Sequence, residues 1–160
     1  MLLIRISLDI SGDNFSPNML LTKLNINTSF ITFTSNEPTD FLTKDKNDQY
    51  GFGSISILHP NKVGVEDNLS EYEEWYVEFL ETNYKFFIDS GANEVNLLYE
   101  TFYNKQCNFE IFNKELLKKI TVYNVSIPIC VYMLTNSQIR EILCDANYNK
   151  DYVKQIMKGG

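Results

Sequence analysis

The chain has 160 residues, a formal net charge of −7, and 44% hydrophobic residues. That much apolar surface suffices for the core of one domain and excludes a chain that is disordered throughout. Nucleic-acid binding needs a surplus of Lys and Arg on one face, so the acidic excess disfavours nucleic acid as a partner.

The first strand is predicted at residues 2–10, where apolar side chains alternate with others. Ser16 as N-cap and Pro17 at the first helical position predict a short helix. A second strand is expected at residues 28–34. Residues 35–50 are polar and indicate a long loop, a kind of segment that often carries function.

A third strand is predicted at residues 53–58, followed by a helix that is acidic on one side and aromatic on the other. Ser70 and Glu73 have the spacing of a capping box at its start, and Gly91 is the expected stop. The aromatic side, which we expect in the core, comprises Tyr72, Trp75, Tyr76, Phe79, Leu80 and Phe87.

The C-terminal third predicts strands at residues 95–103, 107–112 and 125–134. Asn113 is expected to cap a helix between the last two strands, and Pro128 places the final strand at an edge or bulge. A closing helix then uses Ile139, Ile142, Leu143 and Ala146.

The predicted element order is βαββαβ followed by β, α, β and α, and its first six elements match the ferredoxin-like split βαβ. We therefore predict an α+β fold whose mixed or antiparallel sheet has helices packed on one face. Residues 1–148 form the expected single domain, and residues 149–160 form a lysine-bearing C-terminal tail.

The compartment is predicted from the apolar runs and the cysteines. Arg5 and Asp9 interrupt any signal-peptide core, and no apolar run approaches the roughly 20 residues of a membrane span. Cys107, Cys130 and Cys144 are odd in number, which indicates buried free thiols in a reducing compartment. We expect a cytoplasmic protein without membrane contact.

Two stretches carry a family resemblance. Residues 6–17 read as a strand, a glycine turn at Gly12 and a helix opened by Pro17, and residues 109–132 read as strand, helix and final strand. In both places the chain resembles the bacterial family known as domain of unknown function 4279, over about residues 3–134. The resemblance implies a fold and a bacterial cytosolic setting. It implies no catalytic residues, because the family has no established activity.

Candidate catalytic and metal sites are weak. Asp9, Ser11 and Asp13 have the alternate spacing of a calcium loop, but Leu20 stands where a bidentate Glu is needed. The alternative is a strand-to-helix turn. His59 is the single histidine and has no cysteine near it in sequence, so we interpret it as structural or solvent-facing. We predict no catalytic residue, metal or cofactor.

Glu71, Glu74, Glu78 and Glu81 lie three or four residues apart on one face of the acidic helix and are called the acidic ridge below. Like charges at this spacing repel weakly, a cost that a basic partner would offset. A merely solvated face is the alternative. Trp75 is expected at the helix margin, where its indole N–H needs a partner or water.

The leading hypothesis is a cytosolic bacterial binding module, including an immunity-type protein that occludes a basic toxin, with the ridge, Trp75 and the 35–50 loop making contact. The rival hypothesis is a small enzyme or ligand-binding domain with a pocket between sheet and loop, using His59 and Asp13. A third interpretation is a carrier activated through the terminal Gly159 and Gly160, against a frayed tail. The sequence identifies neither the partner nor the oligomeric state.

Overall fold

The computed structural model describes residues 1–24, 32–36 and 52–159. Six strands and five helices lie in these ranges, together with a single turn of 3₁₀-helix at Glu66–Asn68. In chain order they are β1 (Leu2–Gly12), α1 (Pro17–Lys23), β2 (Thr32–Asn36), β3 (Gly53–Leu58), β4 (Gly64–Val65), α2 (Leu69–Asp89), β5 (Glu94–Tyr103), α3 (Lys114–Ile120), β6 (Ile129–Met133), α4 (Asn136–Asp145) and α5 (Lys150–Gly159).

The sheet has the strand order β2-β3-β1-β5-β6, and the short β4 also pairs with β1. All pairs are antiparallel except β5 with β6. The longest register joins β1 and β5, from Leu2 opposite Tyr103 to Ser11 opposite Glu94. The predicted α+β class and mixed sheet are confirmed.

The main core lies between one face of the sheet and helices α1, α2 and α3. The even-numbered side chains of β1 point to this face, as a two-residue period requires. They are Leu2, Ile4, Ile6, Leu8 and Ile10, and they cluster with Leu20 of α1, Tyr76, Leu80 and Phe87 of α2, and Leu116 and Ile120 of α3.

A second, smaller core covers one end of the opposite sheet face. Leu3 of β1 is fully buried there together with Val65, Phe102, Ile139, Leu143 and Val153. Helices α4 and α5 are therefore an addition on the face that α1–α3 leave open. The segment interpreted as a tail is helical over Lys150–Gly159. Gly160 lies outside the described residues.

Helix boundaries follow local capping signals in part. Ser16 accepts the amide N–H of Met19 at 3.2 Å, as predicted for an N-cap. Gly91, with φ of 94°, follows the last turn of α2 as predicted. The capping box at Ser70 was wrong, because α2 already begins at Leu69 and the Glu73 side chain is buried.

The predicted strand at residues 107–112 was also wrong, since these residues pair with no strand. The last strand is shorter than predicted, at Ile129–Met133. The three cysteines are free thiols but not buried: Cys107 and Cys130 are half-buried and Cys144 is exposed. Residues 28–31 of the expected second strand and 37–50 of the expected loop lie outside the described residues.

Within the described ranges, none of the helices combines the length and the apolar character needed to cross a membrane.

Candidate functional site

The acidic ridge lies on the outer face of α2. The aromatic and aliphatic side chains of α2 point to the sheet, so the 3.6-residue period turns Glu71, Glu74, Glu78 and Glu81 to solvent, and all four are exposed. Glu81 is 3.6 Å from Lys119 Nζ of α3. In the described part of the chain, Glu71, Glu74 and Glu78 form no ion pair.

Two tyrosine hydroxyls fix α2 to the sheet beneath the ridge. Tyr72 Oη accepts the Ile6 amide N–H at 3.3 Å and donates to the Lys62 carbonyl at 2.9 Å. Tyr76 Oη donates to the Ile6 carbonyl and accepts the His59 amide N–H at 2.7 Å. Burial raises the pKa of Tyr72 to about 12, so its hydroxyl stays protonated and able to donate. These hydrogen bonds fix the position of α2, and with it the acidic ridge, relative to the sheet.

Trp75 lies at the margin of α2, as predicted, and is half-buried. Its ring centroid is 4.8 Å from that of Tyr76 and 5.2 Å from that of Phe79. The His59 ring completes this aromatic group at 4.9 Å from the indole. Trp75 thus lies between the buried side of the helix and the acidic ridge.

Glu73 is the acidic residue of α2 that does not belong to the ridge, and sequence reasoning missed its role. It is 5% exposed, and its Oε1 accepts the Tyr99 hydroxyl at 2.7 Å and the Phe112 amide N–H at 3.0 Å. Burial raises the pKa of this carboxyl, and the two hydrogen bonds partly oppose that shift. Glu73 joins α2, β5 and the segment before α3.

His59 and Asp13, the polar participants of the rival hypothesis, do not come together. The β1–β3 register places Asp13 beyond the Gly53 end of β3 and His59 beyond the Leu58 end. Five residue steps of about 3.4 Å separate these ends, so the two side chains are roughly 17 Å or more apart. Asp13 is exposed in the turn before α1.

Asp9 takes part in a hydrogen-bonded group on the sheet face opposite α2. Its Oδ1 accepts hydrogen bonds from the Ser7 hydroxyl, at 2.5 Å, and from the Ser56 hydroxyl. The Oγ atoms of these two serines are 2.7 Å apart. The single histidine packs against α2 instead, so no Ser–His nucleophile pair forms here. Among the described residues, His, Cys, Asp and Glu form no group of three or more that would hold a metal ion.

One cavity of about 310 Å³ lies between the start of β1, the 3₁₀-helix and α5. Its lining includes Leu3, Glu66, Asp67, Tyr152 and Ile156. The rival hypothesis placed its pocket between the sheet and residues 35–50, and residues 37–50 lie outside the described residues, so that pocket stays a prediction. The lining combines apolar side chains with the two carboxylates of the 3₁₀-helix.

No family model, no curated protein and no solved structure matches the chain. The resemblance to domain of unknown function 4279 stays a prediction.

Proposed function

We propose that the protein is a binding module of the bacterial cytoplasm whose acidic ridge recognises a basic protein. An immunity-type protein that covers the active surface of a cationic toxin is one role of this kind. The observation that carries the proposal is the set of three exposed carboxylates, at Glu71, Glu74 and Glu78, without an ion pair in the described part of the chain.

The spacing of these carboxylates supports a binding role. Like charges three or four residues apart destabilise an isolated helix by a few tenths of a kcal/mol per pair. Folding of α2 overcomes this repulsion through its buried aromatic side. A basic partner would relieve this repulsion, and the relief would contribute to the free energy of binding.

The rigidity of α2 also supports the proposal. The Tyr72 and Tyr76 hydroxyls hold the helix on β1, and Trp75 provides an aromatic surface at its margin. Tryptophan and a pre-organised ionic surface are common features of protein interfaces. A partner with Lys or Arg at helical spacing would find the carboxylates already in place.

The test compares two triple variants of equal net charge. The ridge variant carries Glu71→Gln, Glu74→Gln and Glu78→Gln. The control changes three exposed acids elsewhere to Gln, at Glu94, Glu110 and Glu141. Both variants alter the net charge of −7 by three units, to −4, so they separate the position of the charge from its total.

The measurement is affinity capture from a bacterial lysate followed by association kinetics with the captured protein. We expect the ridge variant to associate roughly 10-fold more slowly than the control, with a weaker salt dependence. Equal association of both variants and the native chain would refute the proposal.

A further inference from the structure

Strand β6 exposes apolar side chains at the margin of the sheet. Ile129 is 51% exposed, Val131 52% and Met133 74%. Only β5 pairs with this strand, and the other edge of β6 has no strand partner in the described part of the chain. Long, apolar, open edges are rare in monomeric proteins because they invite another strand to pair.

On its outer side, β6 has backbone N–H and C=O groups that point away from β5 and could pair with another strand. Tyr99 donates its amide N–H to the Pro128 carbonyl, and Leu134 donates to the Tyr103 carbonyl, both at 2.8 Å. In a parallel pair alternate residues point to the neighbouring strand, so Ile129, Val131 and Met133 direct their N–H and C=O groups to the open edge. Pro128 lacks a donor only on the β5 side, and it does not block the outer edge.

The chain around β6 carries no charge. From Thr121 to Ile139 there is no Asp, Glu, Lys or Arg, in a chain whose net charge is −7. Natural proteins protect exposed edges with charged side chains, which are missing here. A second copy that approaches this edge brings no like charges together, because residues 121–139 carry none. A basic partner would find no carboxylate on it.

We propose that β6 pairs antiparallel with β6 of a second copy of the chain, about a two-fold axis at Val131. In this register Ile129 lies opposite Met133 of the other copy, and the two Val131 residues face each other. These are the residues with outward N–H and C=O groups, so each pair exchanges two hydrogen bonds. Cys130 lies opposite Tyr132 in the alternate pairs. Every cross-strand pair in β6 is free of charge.

The pairing joins two sheets into one that is continuous across the dimer. It satisfies the outward backbone groups of β6 and covers part of the exposed apolar surface of Ile129, Val131 and Met133. The proposed cross-strand pairs involve residues 129–133 and no residue of the acidic ridge.

The first test measures molar mass by light scattering across a concentration series reaching roughly 100 μM. We expect the native chain to have twice the mass of one chain. Val131→Lys places two lysines opposite each other and should raise the dimer Kd about 100-fold. Val122→Lys adds the same charge at a residue that is 73% exposed and outside β6, so it should remain dimeric.

The second test fixes the register. Val131→Cys places two cysteines in a hydrogen-bonded pair with Cα atoms about 5.5 Å apart, a separation that a disulfide spans. In a background with Cys107→Ser, Cys130→Ser and Cys144→Ser, the variant should form a covalent dimer on mild oxidation, and Val122→Cys should not. A native chain that stays monomeric would overturn the proposal. The β6 edge would then be a candidate site for a strand of another protein. A dimer that Val131→Lys does not weaken would overturn it as well.

Discussion

The imidazole of His59 meets the indole of Trp75 edge to face, with ring centroids 4.9 Å apart. The Tyr72 ring lies 4.7 Å away on another side. These rings exclude water, and the resulting burial lowers the pKa of His59 from 6.5 to about 4. His59 Nδ1 accepts the Asn61 amide N–H at 3.0 Å, which also favours the neutral ring.

The first prediction follows from this pKa. The chain contains a single histidine, so its NMR signal is unambiguous and should titrate near pH 4. Because the unfolded chain binds the proton at a higher pH than the folded chain, the contribution of His59 to stability is lost as the pH falls from about 6.5 to about 4. Urea unfolding at several pH values measures that loss.

Trp75→Ala is the informative variant for this prediction. This substitution exposes the imidazole ring of His59 to water and should move the His59 pKa upward, towards 6.5. Met19→Ala changes an exposed side chain on α1 and should leave the titration unchanged. A native His59 that titrates near 6.5 would contradict the packing described here.

The second prediction concerns Glu73, whose pKa is raised above 4.5 by burial. The unfolded chain loses this proton at a lower pH than the folded chain, so this group makes the protein less stable as the pH rises above about 4.5, until the folded carboxyl has also ionised. Glu73→Gln removes the ionisation, and its Oε1 can still accept from Tyr99 and Phe112.

Urea unfolding of native and variant chains at pH 4 and pH 7 measures this effect. We expect the free energy of unfolding of Glu73→Gln, minus that of the native chain, to be larger at pH 7 than at pH 4, because only the native chain loses stability over this range. Glu74→Gln alters the next residue, which is exposed, and should show a much smaller pH dependence. Equal behaviour of the two variants would show that Glu73 is not desolvated in solution.

The third prediction concerns Gly91 after α2. Its φ of 94° is unfavourable for residues with a Cβ, and a Cβ here would collide with the Asn14 carbonyl. Gly91→Ala should therefore lower the free energy of unfolding by about 2 kcal/mol or more. Ile88→Ala, at an exposed residue of the same helix end, should cost much less. Equal midpoints in urea for the two variants would contradict this assignment.

Local signals predicted the elements that contain them. The alternation of β1, the Ser16–Pro17 helix start and the Gly91 helix end all depend on neighbours in sequence, and all three are present. Residues 149–160 had a usable signal as well. Tyr152, Val153, Ile156 and Met157 recur at helical spacing, and Val153 is buried in the second core.

Long-range contacts explain what sequence reasoning missed. Residues 107–112 alternate like a strand, but Phe112 has φ of 47° and its N–H is bound by Glu73, 39 residues away. Glu73 looked like a capping residue because Ser70 precedes it by three positions. Instead its buried carboxylate accepts a hydrogen bond from Tyr99 of β5, 26 residues away. No local pattern specifies such partners.

The central position of β1 constrains the order in which the protein can fold. Its partner on one side is β5, and pairing Leu2 with Tyr103 closes a loop of about a hundred residues. Such distant pairings give a high contact order, which places folding on the millisecond-to-second scale typical of non-local topologies. During synthesis, β1 keeps one bare edge until Tyr103 has left the ribosome, so the nascent chain is exposed to aggregation for most of its translation.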